Sequence, residues 1–382
     1  MKNNLFTAIG LMSGTSMDGV DSSLISSDGH SKFSKITDKY FKFDKKLYSK
    51  LVHLRNLIKN KDDLLIYSKD LLELERELTL FHVKVVNEIM NNYLDKVDLI
   101  GFHGQTIYHN SNEKISRQIG NGKLLSQLTK TKVVFDFRQE DIINGGQGAP
   151  LSPVFHNVIA KILNIKNKIS YPMCFLNIGG ISNITIINKN KDNNENDLKA
   201  FDIGPGNCLI DKWIIKNSNL RYDNNGFIGK SGVVDELILN QAIENFRINS
   251  FDNALDINDF DISFAKGLSL ENGCATITNF TAYLIAKGIE YANSFNKKIQ
   301  TTYFISGGGR KNVFLIENIK KNLSNYRNIK IEIIDDYSFD GDFLESQAFG
   351  YLAIRSYLKL PISFPKTTGC KIPSTGGKIT NN

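Results

Sequence analysis

Apolar and polar positions change period several times along the chain, and each change marks an element. Leu5–Met12 and Val20–Ser26 are apolar runs on either side of the tight polar segment Ser13–Gly19, which predicts two strands joined by a glycine hairpin. Phe33–Phe43 alternates and predicts a third strand. The period then becomes helical over about Lys45–Asn60 and Asp63–Tyr93. In the second stretch Leu71, Leu74, Leu78, Phe81, Val85 and Ile89 step by three or four, a stripe that belongs against a core. Val97–His103 and Lys132–Phe137 read as strands that each run into a polar segment, and Pro153–Leu163 reads as a helix.

A second set of strands follows at Met173–Asn177, Ser182–Ile187 and Leu198–Asp202, with the Asn/Lys/Asp-rich insert Asn188–Asp197 expected as a solvated turn. Helices are predicted near Asn207–Lys216, Gly232–Phe246 and Asn272–Ala292. Thr301–Ile305 (strand), Lys311–Leu323 (helix), Ile329–Asp335 (strand) and Phe343–Leu358 (helix) then alternate, and the tail from Pro361 is expected to be irregular. Two strand sets with interleaved helices predict an α/β protein of two domains, each with a mixed sheet, and a cleft between them. Length agrees, because 382 residues exceed the ~250–300 at which one hydrophobic core stops growing.

Composition narrows the function classes. Hydrophobic residues at 41% and charged residues at 23% exclude wholesale disorder. The formal charge of +7 is spread along the chain, with no basic helix or basic–aromatic patch, so no nucleic-acid partner is expected. No apolar run approaches the ~18 residues of a membrane helix, and no membrane partner is expected. Cys174, Cys208, Cys274 and Cys370 form no CxxC pair and have no histidine at metal-ligand spacing, a pattern that suits a reducing compartment. Leu5–Met12 is followed by a polar turn and a second apolar run, so it reads as a buried strand and not as a secretory signal. A cytoplasmic protein is expected.

Candidate chemistry collects at strand ends. Ser13–Gly19 offers backbone N–H groups and the hydroxyls of Ser13, Thr15 and Ser16, which suits a phosphate, although an ordinary hairpin reads equally well. It is not a Walker loop, since GxxxxGK[ST] is missing and a strand follows. Asn177–Asn183 is a second glycine turn between strands, and Ser306–Arg310 a third, between a strand and a helix whose N-terminus favours a negative ligand. Together the three turns point to a nucleotide. His103-Gly104-Gln105-Thr106 and Asp136-Phe137-Arg138 lie where open α/β folds collect ligands. Arg138 can clamp a carboxylate or phosphate, or simply pair with Asp136 or Asp141. His103 alone reads as a structural histidine. Asp202, before the Gly-Pro-Gly turn, can serve as a general base or only position that turn. Glu345, near the start of the last long helix, is favourable against the helix dipole and reads as structural from that position.

The motifs become specific when taken in order. Ile9–Asp21 (IGLMSGTSMDGVD), Gly101–His109 (GFHGQTIYH), Asp136–Leu151 (DFRQEDIINGGQGAPL), Asn177–Thr185 (NIGGISNIT), Phe201–Trp213 (FDIGPGNCLIDKW), Ser306–Asn312 (SGGGRKN) and Glu345–Ala353 (ESQAFGYLA) closely resemble the anhydro-N-acetylmuramic acid kinases over nearly the whole chain. The resemblance implies two ribonuclease-H-like domains of the actin, hexokinase and heat-shock ATPase superfamily, with a nucleotide in the interdomain cleft. It places the boundaries at 1–134 plus about 350–382 for one domain and 135–349 for the other. It implies that Gly14, Thr15, Ser16, Met17, Asp18, Gly19, Val20 and Asp21 hold the phosphates of ATP, with Gly179, Gly180, Gly307, Gly308 and Gly309 completing the nucleotide site. Mg2+ is implied with the ATP, its protein ligands left open, Asp18 included. Asp202 matches the family's general base and Glu345 a second acid, both catalytic, while Thr106 and Arg138 match sugar-binding positions. The implied reaction opens the anhydro ring of 1,6-anhydro-N-acetylmuramic acid and phosphorylates O6, in a homodimer. Departures occur at Ser250–Phe260, at Tyr108–Ser111, which lacks the usual proline, and at Gly229, where alanine is commoner. Two other functions stay open: a kinase for another sugar, and a nucleotide-dependent regulator without catalysis.

Overall fold

The computed structural model describes residues 5–189, 195–246, 255, 260–297 and 299–380. The Ser250–Phe260 departure therefore lies outside the described residues except for Leu255 and Phe260. Twelve strands run among the described residues: β1 (Phe6–Ser13), β2 (Gly19–Ser27), β3 (Phe33–Lys42), β4 (Leu99–Asn110), β5 (Ile115–Ile119), β6 (Lys132–Phe135), β7 (Met173–Ile178), β8 (Ile181–Ile187), β9 (Lys199–Pro205), β10 (Thr301–Ser306), β11 (Ile329–Ile333) and β12 (Lys378–Ile379).

The chain divides into two compact units, one of Met1–Ile162, Asn194–Leu198 and Phe343–Asn382, the other of Leu163–Asn193 and Lys199–Asp342. The chain crosses between them at 162/163, 193/194, 198/199 and 342/343, where the sequence suggested 134/135 and 349/350. Helix Pro153–Asn167 begins with the first unit, and Phe155 packs edge-on against Phe33 of β3.

In the first unit the sheet order is β12-β6-β4-β1-β2-β3, with β5 hairpinned onto β4. β1, β2 and β3 are antiparallel, while β4 runs parallel to β1 and β6 parallel to β4. Alternation along β1 sends Ile9 and Leu11 to one face, where they join the stripe Leu71, Leu74, Leu78, Val85 and Ile89 of helix Ser68–Asn91. In the second unit the order is β11-β10-β7-β8-β9, again with three antiparallel strands and two parallel ones. Helix Leu270–Asn293 lies buried in that unit's core, and its Gly288 allows contact with Ile203 of β9, which an added Cβ would meet at 2.4 Å. Both sheets thus have the ribonuclease-H-like order, and the expected mixed α/β class is found.

Several local expectations need correction. β4 runs on to Asn110, and β5 and helix Gly122–Thr129 follow it where only a polar segment was read. Gly232–Phe246 is not one helix; Phe227–Ser231 and Glu236–Asn245 flank Gly232, whose Cβ would meet the Glu271 carbonyl oxygen at 2.1 Å. The described end of the insert is not simply solvated, because the Glu195 carboxylate accepts two hydrogen bonds from the buried Arg355 at 2.6 and 3.0 Å. The tail holds a short helix, Pro365–Thr368, and β12. Among the described residues no helix is long and apolar enough to cross a membrane, and all four cysteines are free and buried.

Candidate functional site

In the first unit, the position of Glu345 follows from two missing side chains. Gly10 of β1 and Gly101 of β4 are partners in register. A Cβ on Gly10 would lie 1.8 Å from the Ser346 carbonyl oxygen, and one on Gly101 would lie 2.1 Å from that of Phe349. Helix Leu344–Tyr357 therefore presses its backbone directly onto the sheet, which fixes Glu345 in its first turn and Phe349 one turn later on the same side. Glu345 keeps contact with solvent, yet the protein crowded around it desolvates the carboxyl and pushes it above the usual range, an effect that the Arg138 guanidinium opposes.

Arg138 is half-buried just after β6. Its Nη1 donates to the Gly148 carbonyl at 2.8 Å, and its Nη2 and Nε donate to His103 Nε2 at 2.9 and 3.2 Å. The alternative acids are engaged elsewhere: Asp136 pairs with Lys378 at 2.6 Å, and Asp141 organises the Gly145–Pro150 loop. The Asp141 carboxylate accepts from the Gly148 N–H at 2.7 Å and from the Thr368 hydroxyl at 2.6 Å, and its carbonyl accepts from the Gly146 N–H. The tail thus braces the loop that holds Arg138. Thr106 lies on β4, where its hydroxyl accepts from Gln118 at 3.2 Å.

The hairpin between β1 and β2 leaves Thr15 and Ser16 exposed, while Met17 turns inward with φ 56° and is buried. The Ser16 hydroxyl donates to Asp18, and the Asp18 carbonyl accepts from the Phe43 N–H. Beneath the hairpin, Gln105 Nε2 donates to the Gly14 carbonyl at 3.0 Å, so the amide oxygen points away. That oxygen and the Ser13 hydroxyl are buried without a hydrogen-bond partner. Gly19, Val20 and Asp21 open β2, where Asp21 pairs in register with Met12.

In the second unit Asp202 sits within β9, opposite Asn183; the strand, read as ending at Asp202, runs on to Pro205. It is half-buried, and its Oδ2 accepts from the Leu255 N–H at 2.9 Å. Gly179 and Gly180 form the whole connection between β7 and β8. Their carbonyls accept from the N–H groups of Asn207 at 2.7 Å and of Gly206 at 2.9 Å, which ties this turn to the start of helix Cys208–Asn217. Gly307–Gly309 follow β10, held by the buried Arg310. Its guanidinium donates to Asp335 at 2.6 and 2.8 Å, to Asp342 at 2.6 Å and to the Gly307 carbonyl at 3.1 Å.

The glycines of these turns sort into two kinds. Gly309 is demanded by the fold, since its Cβ would lie 2.2 Å from Ile178 Cγ2, and Gly307 by φ 77° and contact with Asn177. At Gly14, Gly179 and Gly308 an added Cβ would meet nothing nearer than 3.9, 3.5 and 3.7 Å. Internal packing leaves those three positions open, which is what close approach by a ligand requires.

The first unit thus gathers Arg138, Glu345 and the neighbouring His103, with the hairpin and Thr106 on the same sheet; the second gathers Asp202 and the two glycine turns. Sequence reasoning missed the anchoring roles of Asp141, Thr368 and Arg310. Only the run of aspartates at 335–342 carried a signal for the last. Among the described residues no cluster of three or more His, Cys, Asp or Glu forms a metal cage. At the hairpin the partly exposed Asp18 carboxylate is the kind of oxygen donor that a hydrated hard cation carried by phosphates takes.

A family model described as "Anhydro-N-acetylmuramic acid kinase" matches residues 6–382. Relatives with that same description are similar over almost their full lengths. One from Pelagibacter ubique (strain HTCC1062) is 52% identical, covering 99% of this chain and 99% of the relative. One from Brucella canis is 38% identical, covering 98% of each, and one from Agrobacterium fabrum is 36% identical, again covering 98% of each. A solved structure described as an activator of the 2-hydroxyisocaproyl-CoA dehydratase from Clostridium difficile with bound ADPNP aligns over 91% of this chain and 94% of that one. Its identity of 10% and TM-score of 0.39 are too low to carry fold or function.

Proposed function

The chain belongs to the anhydro-N-acetylmuramic acid kinase family, and from that premise we propose that it converts 1,6-anhydro-N-acetylmuramic acid and ATP into N-acetylmuramic acid 6-phosphate and ADP, in cell-wall turnover. Asp202 takes a proton from water, which attacks the anomeric carbon. The 1,6-ether bond breaks, and O6 accepts the γ-phosphoryl group. The Leu255 N–H donates to the Asp202 carboxylate and so helps to orient it for proton abstraction. Glu345 supplies the second acid beside Arg138, and Arg138 and Thr106 hold the sugar. The Gly14–Asp21 hairpin, Gly179–Gly180 and Gly307–Gly309 hold the nucleotide, where catalysis is largely positioning and charge neutralisation. Asp18 is the hairpin carboxylate suited to Mg2+, which supplies neutralisation of phosphate charge when bound.

One observation carries the reading: a family match over residues 6–382 of a chain whose Gly14, Gly179 and Gly308 stand where internal packing leaves room for a ligand. The test is ADP release from Mg-ATP with 1,6-anhydro-N-acetylmuramic acid, compared with N-acetylmuramic acid and N-acetylglucosamine. Turnover of the anhydro sugar alone, giving the 6-phosphate, is the expected result. Turnover of an open sugar instead would remove the ring-opening step, and ATP binding with no turnover of any sugar would favour a regulator.

A further inference from the structure

His103 is a buried polar residue of β4 that the proposed reaction does not use; it is 4% exposed. Its Nδ1 lies 2.8 Å from the Gly104 carbonyl oxygen, and a carbonyl only accepts, so Nδ1 carries a proton. Its Nε2 faces Arg138 Nη2 and Nε at 2.9 and 3.2 Å, and a guanidinium only donates, so Nε2 presents its lone pair. The two contacts independently demand the same neutral tautomer. Burial, then the Arg138 charge and His82 nearby, hold the imidazole well below its usual range, in keeping with that state. A histidine so placed has no proton to give at Nε2, and its basic lone pair is already occupied. It is a fixed acceptor.

What it fixes is the plane of Arg138. Nε and Nη2 are held by His103 from β4, and Nη1 is held by Gly148 from the loop that Asp141 and Thr368 brace. Three nitrogens held by two anchors on different segments fix the orientation of the guanidinium. The same layer continues into helix Leu344–Tyr357, whose Phe349 ring lies 4.6 Å from His103 and whose Glu345, one turn earlier, feels the Arg138 charge.

We propose that His103 is a positioning residue of the sugar site, a permanently neutral acceptor that orients the Arg138 guanidinium beside Glu345 so that the pair meets the sugar's polar groups in one geometry. The proposal rests on the reading above that Arg138 contacts the sugar. It gives His103 work that a core-filling ring would not do, and it makes the acceptor at Nε2, and not the ring volume, the feature that matters.

The experiment separates those two properties. His103→Phe keeps the ring and removes the acceptor, whereas His103→Gln returns an acceptor near the Nε2 position. In His103→Phe the KM for the sugar should rise about ten- to hundredfold, the loss expected for a hydrogen bond to a charged group, while the KM for ATP stays near the wild-type value. His103→Gln should recover most of the difference. Nitrogen NMR of 15N-histidine-labelled wild-type protein should report the neutral Nδ1–H tautomer at His103 from pH 6 to 9. Arg138→Ala should perturb that Nε2 signal, a readout that needs no turnover and also serves if His103→Phe fails to fold. Equal losses for sugar and ATP, a His103→Gln variant no better than His103→Phe, or an Nε2–H tautomer in the wild type would each overturn the proposal. If wild-type protein turns over none of the three sugars, the proposed function fails by itself. The tautomer, with its response to Arg138→Ala, would still decide whether His103 and Arg138 form the fixed pair.

Discussion

Asp38 and Asp202 each lie on the third strand of a ribonuclease-H-like sheet, one in each unit. Asp38 of β3 pairs in register with Ser23 of β2, and Asp202 of β9 with Asn183 of β8. Their surroundings differ. Asp38 is walled in: its side chain is 7% exposed, and it accepts from the Ser23 hydroxyl at 2.6 Å and from Gln347 Nε2 at 3.1 and 3.2 Å, with Lys35 at 3.4 Å. Gln347 comes from the helix that covers the first sheet. Asp202 is half-buried and accepts from the backbone N–H of Leu255 at 2.9 Å. On the proposed reading, one third-strand carboxylate serves stability through the helix that covers its sheet, and the other serves chemistry.

The comparison breaks most sharply at Asp202→Asn. Turnover should fall by about 10²- to 10⁴-fold while ATP affinity and melting temperature stay close to wild type, as steady-state kinetics and calorimetry would show. Asp38→Asn should do the reverse, costing roughly 1–3 kcal/mol of stability through a disrupted buried network, with turnover per folded molecule largely kept. Denaturant titration checks it. If Asp38→Asn abolished activity at full stability, the contrast would be lost.

The glycine turns sharpen the same division between fold and function. Gly309→Ala should destabilise the protein by about 1–3 kcal/mol, since overpacking against Ile178 forces shifts, whereas Gly308→Ala should leave thermal stability unchanged and weaken ATP binding about tenfold. A thermal shift assay with and without nucleotide distinguishes the pair. The smallest effect concerns Asp211, in the first turn of helix Cys208–Asn217. Burial, then the Asp223 charge, pushes its carboxyl up to about 7 from an ordinary 3.8. Its contribution is therefore complete below pH 3.8 and is lost as pH rises through 7. Asp211→Asn should be more stable than wild type at pH 8 by about 1 kcal/mol, and the advantage should shrink towards pH 4.

Much of the fold was legible because both sheets begin the same way, with strands around a glycine turn, and because the stripe from Leu71 to Ile89 allows only one face inward. β4 was cut short at His103 for a physical reason. His103, Gln105 and Thr106 look like a loop, yet Gly104 at φ 75° carries the strand onward and the polar side chains find partners inside. The tail was misread because Gly376 and Gly377, both at positive φ, look like breakers, while Thr368 and Thr380 make bonds whose partners lie more than two hundred residues away. At the site, the motif residues were visible individually. The pairing of Arg138 with His103 was not, since nothing in the spacing of 103 and 138 says that β4 and β6, the strand that Arg138 follows, are neighbours.

The way helix Leu344–Tyr357 seats on Gly10 and Gly101 also sets the order of events during synthesis. The sheet that receives it is written by Phe135 except for β12, so roughly two hundred residues must still leave the ribosome before the helix exists, about 10–40 s at ordinary elongation rates. During that interval the groove over Gly10 and Gly101 stands open, without the helix that later covers it. The second unit, whose last residue is Asp342, is fully translated before the helix begins. The nascent chain therefore carries an unfinished first unit for much of its translation, and the final few dozen residues close it.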